Sequence, residues 1–383
     1  MVTRLRVEPA LLAWAAARAG KDEETLTAKF KHYPQWQTGE YDPTFGQLED
    51  FADYTRTPLG YLFLTEPPEE NLPLPDFRTL GNATLERPSP DLLDTIYSCQ
   101  QRQGWYHDYA QSEGLETLGF VGSVQVTDSP ITVAGTIREA ISFGLGQRAK
   151  CHTSGDVRRY LINAIETLGV LVMVNGVVSN NTRRKLNPQE FRGFAIADSL
   201  APLIFINGAD AKAAQLFTLI HELAHIFAGE SALSDADMSA NSGQDKELWA
   251  NKVAAEVLVP RAELRAVWPG DCNSGELERV AHHFKVSTLV VLKSAFDSGL
   301  IGWGDYRSRY TAEREHARQH LDERGSAGGG NFYNTQPVRV SRRFASAVVS
   351  WTLEGKTLFS DAYALLDVAK HETFERLAEV VTT

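Results

Sequence analysis

The chain of 383 residues reads as an α+β protein, mostly α. Apolar residues recur at three- and four-residue spacing over most of its length, which is the helical period. Only three short β-rich runs interrupt that pattern, at residues 171–174, 193–196 and 203–206. A strongly apolar helical stretch follows them directly. The expectation is a small sheet backed by helices, with helical regions before and after it. A chain of this length is expected to hold two or three domains. The boundaries suggested are 1–64, 65–150, 151–300 and 301–383.

Residues 7–64 read as several short helices. Leu11, Leu12, Trp14, Ala15 and Ala19 start an apolar face, and Leu26 and Phe30 continue it on a second helix. Trp36 leads to a turn-rich link with Gly39 and Pro43, and Gln47, Leu48, Phe51 and Ala52 begin another helix. This order resembles the helix-turn-helix domains of Xre-type repressors. A DNA-reading helix needs polar and basic side chains at its N-terminal end. Here that region is Lys31-His32-Tyr33-Pro34-Gln35, and Pro34 restricts it. Residues 1–64 also carry more acidic than basic side chains, so little counterion-release energy is available. The favoured reading is a degenerate helix-turn-helix used for protein contact rather than for DNA.

The next stretch, from Glu66 to Asp76, is rich in proline and reads as an extended link. Residues 88–150 read as helical, with Trp105, Tyr106 and Tyr109 as packing aromatics. Residues 193–197 are expected near a sheet edge, where a peptide could add as a further strand. Arg183, Arg184 and Lys185 before them read as a solvated basic loop.

The chemistry lies in His221-Glu222-Leu223-Ala224-His225. Histidines four apart on a helix leave one face about one turn apart, so both can reach a single metal ion. The glutamate after the first can take a proton from metal-bound water, the H-E-x-x-H arrangement of zinc peptidases. Leu216, Leu219, Ile220, Leu223 and Phe227 form an apolar stripe on the same helix, and Gly229 is a plausible stop. The histidines fall opposite that stripe, which places them at the rim of a cleft. A third ligand is required. A second helix ending before Pro260 offers Glu247, with Asn251 one turn later as a hydrogen-bond partner for a ligand. Glu256 points away from that face, and Asp235 and Asp237 are rivals between the helices.

The stretch from Phe217 to Phe227, together with Glu247-Leu-Trp-Ala-Asn251 through Ala254-Ala-Glu256 to Pro260, resembles the ImmA/IrrE-type metallopeptidases. Arg192-Gly-Phe-Ala-Ile196 and Pro202 to Asn207 fit the strands of that family. The resemblance covers about residues 150–300. It implies a zincin-like peptidase core in which His221, His225 and Glu247 hold the metal and Glu222 is the base. Val253 stands where the family commonly has phenylalanine. Zn²⁺ is the cofactor implied, with Mn²⁺, iron or another divalent ion compatible with the ligand types. The resemblance further implies cleavage of a regulatory partner such as a repressor, in a stress response. Two other readings stand beside it: an antitoxin-like protein that neutralises a toxin encoded nearby, and a DNA-binding transcriptional regulator.

Composition narrows the field. Cys99, Cys151 and Cys272 are too few and too scattered for a disulfide framework, which suggests a reducing, cytoplasmic setting. The net charge of −11 disfavours indiscriminate nucleic-acid binding. No apolar run reaches membrane-spanning length, and the start reads as a helical pattern rather than a secretory leader. His282 and His283 are adjacent and make a poor metal pair; His316 and His320 lie in a charged helix without a following glutamate. Residues 326–330 read as a flexible break and Asn331 to Thr335 as an adaptable loop. A last helical unit follows, with Phe344, Val348, Trp351 and Leu353 on its first helix.

Overall fold

The computed structural model describes residues 3–70, 73–75, 88–234, 245–323 and 331–382. Its contacts divide into two units: residues 1–73 with 84–96, and residues 74–83 with 97–383. The first unit is helical: α1 (Pro9–Arg18), α2 (Glu23–Lys29), α3 (Tyr33–Thr38), α4 (Phe45–Thr55) and a 3₁₀ turn at Leu59–Phe63. Asp22 caps α2 through Thr25, and Thr44 with Gln47 forms a capping box on α4, so local chemistry sets both starts. Leu11, Leu12, Leu26, Phe30, Trp36, Leu48 and Phe51 make the core. Tyr33 and Trp36 turn inward from the six-residue α3. Next to it Lys31 is exposed, and His32 stacks on Tyr41 with ring centroids 4.7 Å apart. Arg18 pairs with Glu70, and Arg56 with Asp91, each at 2.6 Å.

The second unit takes in most of α5 (Pro90–Ser112), then α6 (Pro130–Ala140), α7 (Leu145–Ala149) and α8 (Ser154–Thr167). The strands follow: β1 (Leu171–Asn175), β2 (Val177–Val178), β3 (Asn181–Lys185), β4 (Gly193–Ile196) and β5 (Leu203–Asn207). Next come α9 (Lys212–Ala228), β6 (Ala232–Ser234), α10 (Asp245–Leu258), α11 (Arg261–Val267), α12 (Ser274–Phe284), α13 (Thr288–Asp297) and α14 (Trp303–Glu323). The last helices are α15 (Phe332–Arg339), α16 (Arg342–Leu353), α17 (Phe359–Leu365) and α18 (His371–Thr382). The fold is α+β and mostly α. Its main sheet runs β1-β5-β4-β6, with β1 parallel to β5 and the other pairs antiparallel.

A large apolar cluster runs through the middle of this unit. It extends from Val133 and Ile137 on α6, through the sheet, α9 and α10, to Tyr306 and Tyr310 on α14. It therefore crosses the boundaries suggested at 150 and 300. Helix α9 packs on β4 and β5, with α8 and α10 alongside it. Among the described residues no helix is long and apolar enough to cross a membrane.

Four expectations need correction. Strand β4 is not at the edge: β6 pairs with it, Gly193 facing Ser234, and the Leu233 N–H donates to the Pro75 carbonyl at 3.0 Å on the far side. An apolar strand gains more from a partner on both sides than from an open edge. Arg183 to Lys185 belong to β3, paired with β2, rather than to a loop. Asn331 caps α15 by accepting from the Tyr333 N–H, so Tyr333 to Thr335 are helical. Phe344, Val348 and Trp351 lie on the second helix of the last unit, and Leu353 on it is 65% exposed. The aromatics of α5 pack as expected: Trp105 stacks on Tyr109 and meets Phe344 and Trp351 edge-on.

Candidate metal centre

The site is built where α9 and α10 cross. On α9, His221 and His225 are one turn apart, with ring centroids separated by 4.9 Å. On α10, Glu247 lies in the first turn, where the helix dipole favours a carboxylate. The His221 Nε2 lies 3.1 Å from one Glu247 oxygen, and the His225 Nε2 lies 3.1 Å from the other. The two Nε2 atoms are 3.2 Å apart. Ligand atoms at about 2.0–2.1 Å from a tetrahedral ion stand about 3.4 Å from one another. The donor set and its spacing therefore fit a divalent ion. Within the described residues these three form the group of His, Cys, Asp or Glu side chains able to hold a metal, their ligand atoms within 4.8 Å of one another.

The polar face of α9 does not lie at a cleft rim. His221, His225 and Glu222 are 0% exposed, and Glu247 and Asn251 are 3% exposed. Helix α10 covers the face that an isolated amphipathic pattern would turn to solvent. A segment before α6 covers the helix end: the Gly122 and Val124 N–H groups donate to Ile226 and Phe227 carbonyls at 3.2 Å each. Gly229 closes α9 in the left-handed conformation, φ 72°. It also lies so close to Gly122 that a Cβ on it would meet that Cα at 2.9 Å.

Burial by itself pushes the Glu247 carboxyl up, but the His221 and His225 imidazoles outweigh it and hold the group far below the usual carboxylate range. Burial likewise pushes the His225 ring down, and the contacts with Glu230 and Glu247 reverse this to a net rise. The ionised carboxylate, the form that binds metals, is thus the one favoured here.

Asn251 lies beside the site, its Oδ1 at 3.0 Å from the His221 Nδ1. An acceptor there favours the proton on Nδ1 and leaves Nε2 as the donor atom for a metal. Glu222 lies beneath β4: a Cβ on Gly193 would come within 3.1 Å of its Oε1, 2.6 Å of the Thr218 Cγ2 and 2.9 Å of the Phe205 carbonyl oxygen. Glycine at 193 is what lets strand and helix approach this closely. The signal was an isolated glycine opening an otherwise apolar strand.

The other candidates stand elsewhere. Glu256 pairs with Arg261 at 3.3 Å. Asp235 and Asp237, and the side chains of His316 and His320, lie outside the described residues. His282 and His283 are exposed on α12. Sequence reasoning missed Glu230, whose Oε2 is 3.9 Å from the His225 Nδ1, and Lys246, whose Nζ is 2.5 Å from the Glu230 Oε1. The signal was a helix-ending glycine, which folds the next residue back over the last turn.

No curated protein matches the chain. Residues 340–380, which include α16 and α17, match the model of a domain of unknown function, DUF8813. Residues 165–295 match the family model described as the IrrE N-terminal-like domain, Peptidase_M78. That span holds the whole sheet and every side chain of the cluster, so this part of the chain is similar to the ImmA/IrrE-type metallopeptidases.

Proposed function

We propose that the chain is a zinc-dependent endopeptidase that cuts one specific regulatory protein. The observation that carries this reading is the convergence of the two Nε2 atoms on the Glu247 carboxylate at 3.1 Å each. His221, His225 and Glu247 would hold the ion, and two imidazoles with one carboxylate suit Zn²⁺, with Mn²⁺ as an alternative. Once bound, a divalent ion supplies Lewis acidity that acidifies water and polarises a scissile carbonyl.

The chain's own residues do the rest. Asn251 orients His221. Glu222 accepts the proton of the attacking water on a carboxylate oxygen and passes it to the leaving amine. Its burial beneath Gly193 limits bulk water around that carboxylate, which keeps the proton transfer local. The small exposure of the ligands supports a restricted substrate rather than bulk peptide.

The test is metal analysis and cleavage with the Glu222→Gln and His225→Ala proteins, using the product of the neighbouring gene as candidate substrate. Glu222→Gln is expected to keep its metal and lose about 10²–10⁴-fold in cleavage rate. His225→Ala is expected to lose both. Undiminished cleavage by Glu222→Gln would remove the base assignment. A partner that both variants bind, and that the wild type never cuts, would replace proteolysis with neutralisation.

A further inference from the structure

Beyond the three ligands, Glu230 occupies a place that nothing in the catalytic reading requires. Gly229 turns the chain at the end of α9, and the Glu230 N–H returns to the His225 carbonyl at 2.9 Å. The Glu230 side chain is thereby held over the last helical turn. One of its oxygens lies 3.9 Å from the His225 Nδ1, the nitrogen turned away from Glu247. The other lies 2.5 Å from the Lys246 Nζ. Lys246 directly precedes Glu247 on α10, so the pair joins the end of one metal-site helix to the start of the other.

We propose that Glu230, anchored by Lys246, is a positioning residue that sets the ring orientation of His225 and its spacing from Glu247. The inference rests on the metal-site reading above. The arrangement parallels that at the other imidazole, where Asn251 faces the His221 Nδ1 at 3.0 Å. In both cases an oxygen on the outer side of the ring favours Nδ1–H, so that Nε2 presents its lone pair inward. The two supports differ in kind. Asn251 makes a direct hydrogen bond from within the helix pair. Glu230 offers an acceptor oxygen at a longer distance, 3.9 Å, and is itself clamped by Lys246. The Lys246 side chain is 45% exposed, so the ion pair adds little to stability and its value lies in orientation.

The experiment measures zinc affinity by chelator competition, and the visible absorption of the Co²⁺-loaded protein, in wild type, Glu230→Ala, Glu230→Gln and Lys246→Met. Glu230→Ala is expected to weaken zinc about 10–100-fold and to alter the cobalt spectrum. Glu230→Gln, which keeps an acceptor, is expected to recover most of the affinity and a near-native spectrum. Lys246→Met is expected to fall between the two. Wild-type affinity and an unchanged spectrum in Glu230→Ala would overturn the proposal. So would equal losses in the Ala and Gln variants that track melting temperature alone, since that is the behaviour of a structural staple. A wild type that binds neither ion would overturn the metal-site reading itself, and the proposal with it.

Discussion

Helices α3 and α9 both turn side chains into the protein interior, yet they hide different things. From α3, Tyr33 and Trp36 enter a core of Phe30, Phe51 and Leu48, and the two residues that α3 buries are aromatic. From α9, every residue between Gln215 and Phe227 is buried, and three of them can ionise. Taking a charge out of water costs several kcal/mol unless partners compensate it. The two histidines on α9 have such partners in Glu247 and Asn251, gathered at one point. Packing alone accounts for α3. It does not account for α9, where apolar residues would fill the same volume at lower cost. The difference separates a region whose burial packing explains from a region whose buried ionisable groups could hold an ion.

That contrast can be tested from both sides. The largest effect is expected from Phe51→Ala, which removes a ring that is 0% exposed and touches Phe30, Tyr33 and Trp36. Denaturant unfolding should show a loss of about 3–5 kcal/mol, while zinc stoichiometry in the folded protein stays the same. A parallel loss of zinc would erase the distinction between the two regions. In the metal centre, Asn251→Ala should weaken zinc about 10–100-fold, close to 1.4–2.7 kcal/mol, with the unfolding of the first unit unaltered. Chelator competition reads the first number and hydrogen exchange in α1 to α4 reads the second.

Gly193→Ala tests the close approach of β4 to α9. The added Cβ would meet the Phe205 carbonyl at 2.9 Å, and the backbone must shift to admit it. About 1–3 kcal/mol of stability should be lost, with cleavage falling more than for an alanine elsewhere in the sheet. An unaffected variant would show that the strand does not press on Glu222.

The smallest effect concerns Glu166, where burial raises the carboxyl although Ser341 and backbone groups oppose it. A raised folded value means that the proton is held more tightly in the native state. The associated stability is fully present below the unfolded value and is lost as pH rises through the folded one. Glu166→Gln should therefore flatten the decline in melting temperature from acid to neutral pH. An unchanged slope would assign that decline to other groups.

The ease of reading the chain followed how local each feature is. The histidine pair and Glu222 are set by the pitch of one helix, so four-residue spacing placed them together before any packing was known. The three strands of the sheet core were visible as short β-branched runs bounded by turns. The depth of the centre was not visible. An apolar stripe opposite two histidines suggests a rim, and only the arrival of α10 and of residues 118–128 turns that rim into an interior. The same holds for β6, which is too short to stand out yet covers β4. Glu230 was hidden because its role depends on a turn and on a cation from a different helix. Within the C-terminal helices, periodicity located the buried Phe344 and Val348 but could not show that Leu353, at the helix end, is 65% exposed.

The central claim is that two imidazole nitrogens and the Glu247 carboxylate share one ion. X-ray absorption at the zinc edge of the loaded protein measures this directly. The expected spectrum shows two imidazole ligands and oxygen donors at about 2.0–2.2 Å, and Glu247→Ala loses the bound zinc. A wild-type spectrum without imidazole scattering, or undiminished zinc in Glu247→Ala, would contradict the account.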